Sequence, residues 1–103
     1  DSGRSYAAEE GLPWHEDIGS MLAVDRPDGI ILATPNALHV SGGLECVAAG
    51  IPILVEKPLS TTVAEGKQLI LAANQASVPV MVGHHRRHNP LVAKAKACIS
   101  MAR

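Results

Sequence analysis

Ile51-Pro52-Ile53-Leu54-Val55-Glu56-Lys57-Pro58 is the stretch that decides the fold. Its first five residues are apolar without alternation, the pattern of a short strand buried inside a parallel sheet. The strand ends abruptly at Pro58, since a proline has no N–H for the ladder and holds the residue before it extended. Lys57 is thereby delivered to the carboxyl end of a strand, where open α/β sheets bind ligands. A lysine there, beside an acid and ahead of a fixed φ, can hold a substrate hydroxyl or move its proton. The tripeptide alone also fits an ordinary solvated strand-to-helix turn, so its surroundings decide.

Upstream, Asp28 opens a second continuously apolar run, Gly29-Ile30-Ile31-Leu32-Ala33, which Thr34-Pro35 ends. It is expected to be a strand buried on both faces. Between the two strands, Asn36 is the expected N-cap of a helix whose apolar side is Val40, Leu44, Val47 and Ala48, and Gly50 is its expected stop. Gly42-Gly43 lies inside this helix at a cost of about 1 kcal/mol per glycine relative to alanine. Close packing of helix on sheet is the expected compensation.

Downstream, Thr62-Val63-Ala64-Glu65 reads as a capping box. It opens a helix carrying Val63, Gly66, Leu69, Ile70 and Ala73 on one side. Pro79 to Val82 is a third strand, closed by Gly83. Asn89-Pro90 starts a last helix running towards Ala102, with Leu91, Ala95, Cys98 and Ile99 inward. At the other end, Ser5 to Glu10 reads as the tail of a helix stopped by Gly11. Leu12-Pro13-Trp14 is an extended link with Trp14 as a packing residue, and Asp17 caps a short helix from Ile18 to Val24.

Strand and helix thus alternate three times. Each helix with its links is long enough for a right-handed crossover. The expected fold is α/β, three-layer and Rossmann-like: the second half of a doubly wound parallel sheet, with three parallel strands and flanking helices.

At 103 residues the chain is at most one domain. A formal net charge of −1 argues against a nucleic-acid footprint or a polybasic membrane patch. Hydrophobic residues are 47% and aromatics 2%, so the core is built from Val, Ile, Leu and Ala. Cys46 and Cys98 form no C-x-x-C pair and read as reduced core residues of a cytosolic protein. No run approaches a membrane span and no signal peptide is visible. The chain starts at Asp1 without a Met, which suits a piece of a longer protein.

Parallel strands point the same way, so three polar segments must emerge on one rim: Thr34-Pro35-Asn36, Glu56-Lys57-Pro58 and Gly83-His84-His85-Arg86-Arg87-His88. The first meets a helix N-terminus, which suits an anion or a polar cofactor edge, with His39 one turn in. His39 fits either a site role or simple packing against the loop. His84, His85 and His88 invite a metal reading, but they precede the Asn89 cap and no cysteine or carboxylate pair supports zinc; positioning substrate or cofactor fits them better. Arg86 and Arg87 suit bidentate recognition of phosphate or carboxylate, with plain surface charge as the alternative. Lys94 and Lys96 are a solvated face.

Ala33-Thr34-Pro35-Asn36 with His39, Glu56-Lys57-Pro58 after an apolar strand, and Val82-Gly83-His84-His85-Arg86-Arg87-His88-Asn89-Pro90 together resemble the Gfo/Idh/MocA oxidoreductases, from about Tyr6 to Lys96. The resemblance implies NAD or NADP as cofactor. It implies that Lys57 is catalytic, close to nicotinamide and substrate. Thr34, Pro35, Asn36, His39, Glu56, Lys57, Pro58 and Arg87 would contact or border the dinucleotide; from the residues themselves, no metal site is expected. The resemblance also implies hydride transfer at a hydroxyl- or carbonyl-bearing carbon of a sugar, cyclitol or related polyol. The charge, the cysteines and the lack of an apolar span lead to the expectation of a cytoplasmic protein that binds neither nucleic acid nor membrane, and an open strand edge to that of a homo-oligomer.

The chain contains no G-x-G-x-x-G. The resemblance places that loop upstream of Asp1 and the substrate domain beyond Arg103. Residues 1–103 are then a partial NAD(P)-binding domain, expected to be inactive alone and to self-associate through the strand edge beside Gly29–Ala33. A non-catalytic NAD(P)-binding sensor or co-regulator and a pure interaction module are the alternatives.

Overall fold

In chain order, this computed structural model comprises α1 (Ser2–Glu9), α2 (Ile18–Val24), β1 (Ile30–Leu32), α3 (His39–Ala48), β2 (Ile53–Val55), α4 (Val63–Ala76), β3 (Val80–Val82) and α5 (Pro90–Met101). The structure describes residues 2–101; Asp1, Ala102 and Arg103, on which the expected end of the last helix falls, lie outside the described residues. Short 3-10 turns precede α3 (Asn36–Leu38) and α5 (His85–His88).

The three strands form one parallel sheet in the order β1-β2-β3. Ile30, Ile53 and Val80 share its first row, and Leu32, Val55 and Val82 its last. This is the Rossmann-like α/β arrangement that the alternation of apolar strands and helices predicts. Both crossovers step the same way across the sheet. Right-handed connections stepping one way place their helices on one face; α3 and α4 accordingly pack on each other, and side chains of both join those of the strands in one buried cluster.

The core lies between them. Leu32, Val40, Cys46, Val47, Ile53, Val55, Leu69 and Ala73 form one buried cluster. Burying Leu69 fully contributes on the order of 2 kcal/mol. The glycine pair is explained on this face. A Cβ on Gly43 would meet Leu69 at 2.9 Å and Ile53 at 3.3 Å, and one on Gly42 would meet Ile18 at 3.3 Å. The helix approaches both its neighbours as closely as glycine permits, which is the expected compensation. Burial raises the Cys46 thiol above its ordinary range, with the Glu45 carboxylate adding to the effect, so it stays protonated and inert.

The other face differs from expectation. Ile31 is 72% and Met81 64% exposed, and with Leu54 they border an open apolar groove of about 390 Å³. The apolar runs were expected to be buried on both sides; within this chain only one side is covered, because both crossovers fall on the same face.

Caps set the helix boundaries. Asp17 accepts from the Ser20 N–H at 2.7 Å and Ser20 Oγ accepts from the Asp17 N–H at 3.2 Å, a reciprocal box opening α2 where expected. Thr62 Oγ1 accepts from the Glu65 N–H at 3.2 Å, but the Glu65 carboxylate takes the Thr61 and Thr62 hydroxyls instead of closing the box. Asn89 Oδ1 accepts from the Leu91 N–H at 2.8 Å and caps α5. Gly11 and Gly50, with φ of +66° and +73°, stop α1 and α3. Ser77 ends α4 in the same left-handed region, φ 55°, where glycine is the usual occupant. The Arg4 guanidinium sits 5.4 Å from the Trp14 ring centroid and ties α1 to the following link, so Trp14 is engaged in packing.

Several expectations fail for identifiable reasons. Asn36 is not a side-chain cap, because the chain enters α3 through a 3-10 turn and neither start has a side-chain cap bond. Ala48, Val63 and Ile70 are exposed: they lie at the margins of apolar stripes whose centres alone meet the sheet. Leu91, Ala95, Cys98 and Ile99 are all exposed, since α5 packs chiefly on the turn before it. The radius of gyration, 17.1 Å, exceeds the ~13 Å expected of a compact chain this long, as a projecting helix requires. None of the described helices is long and apolar enough to cross a membrane.

Candidate functional site

The site is built by the sheet's last row. Because Leu32, Val55 and Val82 are in register, Thr34, Lys57 and His84 each stand two residues beyond the same line. Glu56 N–H donates to Leu32 O at 2.9 Å and Gly83 N–H to Val55 O at 2.8 Å, so the ladder continues one residue past each strand. The three polar loops therefore leave the sheet side by side at its carboxyl edge.

His39 joins the first loop to the second. It is 1% exposed, the single buried polar side chain among the described residues. Its Nδ1 lies 2.7 Å from Pro58 O and its Nε2 2.9 Å from Thr34 O. Both partners are carbonyls, which only accept, so both contacts are hydrogen bonds at once only when each ring nitrogen carries a proton. With a carbonyl against each ring nitrogen, His39 faces inward as a brace, which is the packing-against-the-loop alternative of its two readings. The same ring contact sets where Thr34 and Pro58 stand.

Lys57 is exposed, and its ammonium makes no hydrogen bond or ion pair with a described residue. The Lys57–Pro58 peptide is cis. Lys57 N–H donates to Glu56 Oε2 at 3.3 Å. Glu56 is half-buried and its carboxylate lies 3.3–3.4 Å from where a Cβ on Gly83 would be. Gly83 thus makes room for Glu56 between the second and third loops; a glycine directly after a strand marks a stop or a close approach without naming the partner. Ser60 presses on α4 similarly, 2.7 Å from a would-be Cβ on Gly66.

Thr34, Pro35 and Asn36 are exposed at the start of the 3-10 turn, where the first N–H groups have no partner within the turn. Thr34 also borders a groove of about 340 Å³ between α2 and α3, lined by Asp17, Leu38 and Glu45 among others; Lys57 stands outside it. Arg87 is exposed in the third loop, and its N–H donates to His84 O at 2.9 Å. Among the described residues no group of three or more His, Cys, Asp or Glu is placed to hold a metal ion.

An uncommitted ammonium, a helix entrance and a guanidinium-rich turn stand along one carboxyl edge of a parallel sheet, the edge at which open α/β folds bind ligands. The sequence profile of the oxidoreductase family with an NAD-binding Rossmann fold, Gfo/Idh/MocA, matches residues 1–84, and the chain belongs to that family. It is 33% identical over 87 residues to the rhizopine catabolism protein MocA of Rhizobium meliloti, covering 84% of this chain and 27% of that protein. It is 32% identical over 107 residues to inositol 2-dehydrogenase 2 of Saccharopolyspora erythraea, covering all of this chain and 32% of that one. Among solved structures it resembles the WlbA dehydrogenase of Bordetella pertussis in complex with NADH and UDP-GlcNAcA. There the TM-score is 0.89 at 29% identity, over 99% of this chain and 30% of that one. The chain spans roughly a third or less of each of these relatives.

Proposed function

We propose that the protein carrying this chain is an NAD(P)-dependent oxidoreductase acting on a CH–OH carbon of a sugar, cyclitol or related polyol, and that residues 1–103 supply the second half of its cofactor domain. The observation that carries the reading is the side-by-side exit of the three loops, with Lys57 uncommitted on the middle one and His39 bracing it to the first. The names of the relatives, dehydrogenases for inositol among them, support the substrate class.

The residues fit a dinucleotide. Thr34, Pro35 and Asn36 present a helix entrance to a polar or anionic edge. Glu56 and Pro58 flank the lysine, Arg87 offers a guanidinium from the third loop, and His39 acts through the carbonyls it holds. A bound nicotinamide supplies the acceptor or donor of hydride. The Lys57 ammonium donates a hydrogen bond to the substrate oxygen and stabilises the charge that develops on it in the transition state. His39 keeps Pro58 and Thr34 in fixed relation, so that the lysine and the cofactor edge stay in reach of one another.

In the full-length protein, Lys57→Met should leave NAD(P) affinity within about threefold and lower turnover by at least ~100-fold, the range lost when one transition-state donor is removed. Dinucleotide fluorescence and a hydride-transfer assay across inositols and sugars read the two separately. Unchanged turnover removes the catalytic role of Lys57; absence of dinucleotide binding in the unaltered protein removes the whole reading.

A further inference from the structure

The net charge of −1 conceals a strong segregation. Residues 1–65 hold all ten Asp and Glu against three Lys and Arg; residues 66–103 hold six Lys and Arg and no acid. The basic half reaches the rim at the 3-10 turn His85–His88, which follows His84. In such a turn side chains three apart eclipse and the rise is about 2 Å per residue, so five nitrogen-bearing side chains crowd into one small surface. All are exposed, and none pairs with a described residue. Lys57, across the register from His84, is equally uncommitted. The one acid among them, Glu56, is half-buried against Gly83 and offsets one of the three cations Lys57, Arg86 and Arg87.

We propose that this turn, with Arg86 as its recognition residue, is an anion subsite: it selects a substrate bearing a carboxylate or phosphoryl group besides the hydroxyl that reacts at Lys57. The inference rests on the reading of Lys57 given above. An arginine fork matches either oxyanion with two parallel charge-assisted hydrogen bonds, which a neutral polyol cannot offer. The surplus of positive charge adds attraction that salt weakens, since screening shortens from about 10 Å at 0.1 M to about 3 Å at 1 M.

The test titrates the full-length protein with D-glucose, D-glucuronate and D-glucose 6-phosphate by calorimetry, at about 50 and about 500 mM salt. At low salt one or both anionic sugars should bind about tenfold or more tightly than glucose, the scale of one charge-assisted pair. The gap should narrow at high salt, close in Arg86→Gln and survive in part in Arg86→Lys, which keeps charge but not the fork. Preference for glucuronate alone marks a carboxylate, and for the phosphate alone a phosphoryl group; either supports the subsite. Equal affinities, no binding of any of the three, or a preference untouched by Arg86→Gln overturns it. So does an equal loss in Lys94→Gln/Lys96→Gln, which would assign the effect to the general field of α5. NADH titration of the same samples tests the cofactor reading separately: an Arg86-dependent anion preference without NADH binding would end the cofactor reading, and with it the reacting hydroxyl at Lys57, while leaving Arg86 as an anion-binding residue.

Discussion

Helices α4 and α5 carry apolar residues at the same helical spacings, yet one is core and the other is not. In α4, Leu69 is fully buried against β2 and α3; in α5, Leu91 is 75% exposed and Ile99 62%. Both are capped as their sequences require, by Thr62 and Asn89. What separates them is topology. The α4 helix is a crossover between two adjacent strands and is pulled back onto the sheet, whereas α5 follows β3, and no strand among the described residues returns it to the sheet. Periodicity shows that a helix has an apolar face; only a following strand dictates what that face meets.

The contrast predicts the largest difference in stability. Leu69→Ala should cost about 3 kcal/mol, within the usual range for a buried leucine, while Leu91→Ala should stay within about 0.5 kcal/mol. Denaturant midpoints of the two variants measure the gap, and equal losses would mean that α5 packs on a surface in solution. His39→Ala sharpens the comparison on the side of the rim. It should cost about 1–3 kcal/mol, since two carbonyl acceptors lose a buried donor. Amide exchange should speed up at Ala33–Leu38 and around Lys57, while amides in α5 stay unchanged. Equal acceleration in α5 would show that the two regions are coupled after all.

A smaller gain is expected where α4 ends. Ser77→Gly should stabilise by about 0.5–1 kcal/mol by removing a Cβ from the left-handed region, read as a raised melting temperature. The smallest effect is set by acid. Hydroxyls of Thr61 and then Thr62 hold the Glu65 carboxyl below its ordinary value of 4.5. The Ser20 backbone N–H and then its hydroxyl hold Asp17 below 3.8. A depressed carboxylate contributes stability above its unfolded pKa and loses it as pH falls through the lower folded one. The first turns of α2 and α4 should therefore fray below about pH 4 while α5, capped by the neutral Asn89, keeps its start. Amide shifts followed from pH 6 downward would show the order, and simultaneous fraying of all three helices would contradict it.

Much of the fold was legible because local chemistry dictates it. Continuous apolar triplets, Asp17, Thr62 and Asn89 as caps, and Gly11 and Gly50 as stops placed strands and helices within a residue or two. The rim was legible as well: parallel strands put Thr34, Lys57 and His84 on one line, whatever the details of the loops. At His39 only packing against the loop was legible; its partners were not, because nothing in its spacing tells that two carbonyls, five and nineteen residues away, close on its ring. Nor was the contact between Gly83 and Glu56, which joins residues on adjacent strands.

The sequence by itself thus determined which segments are strands and helices, their order, and the polar residues that must gather at one edge. Those outcomes depend on short-range sterics, capping and hydrophobic period, all written within a few residues. Tertiary structure alone decided which apolar faces are covered. Successive crossovers in one direction cover one side of the sheet, leave Ile31 and Met81 open on the other, and leave α5 without a partner inside this chain. Burial is a property of what lies opposite, and no run of residues encodes its own opposite number.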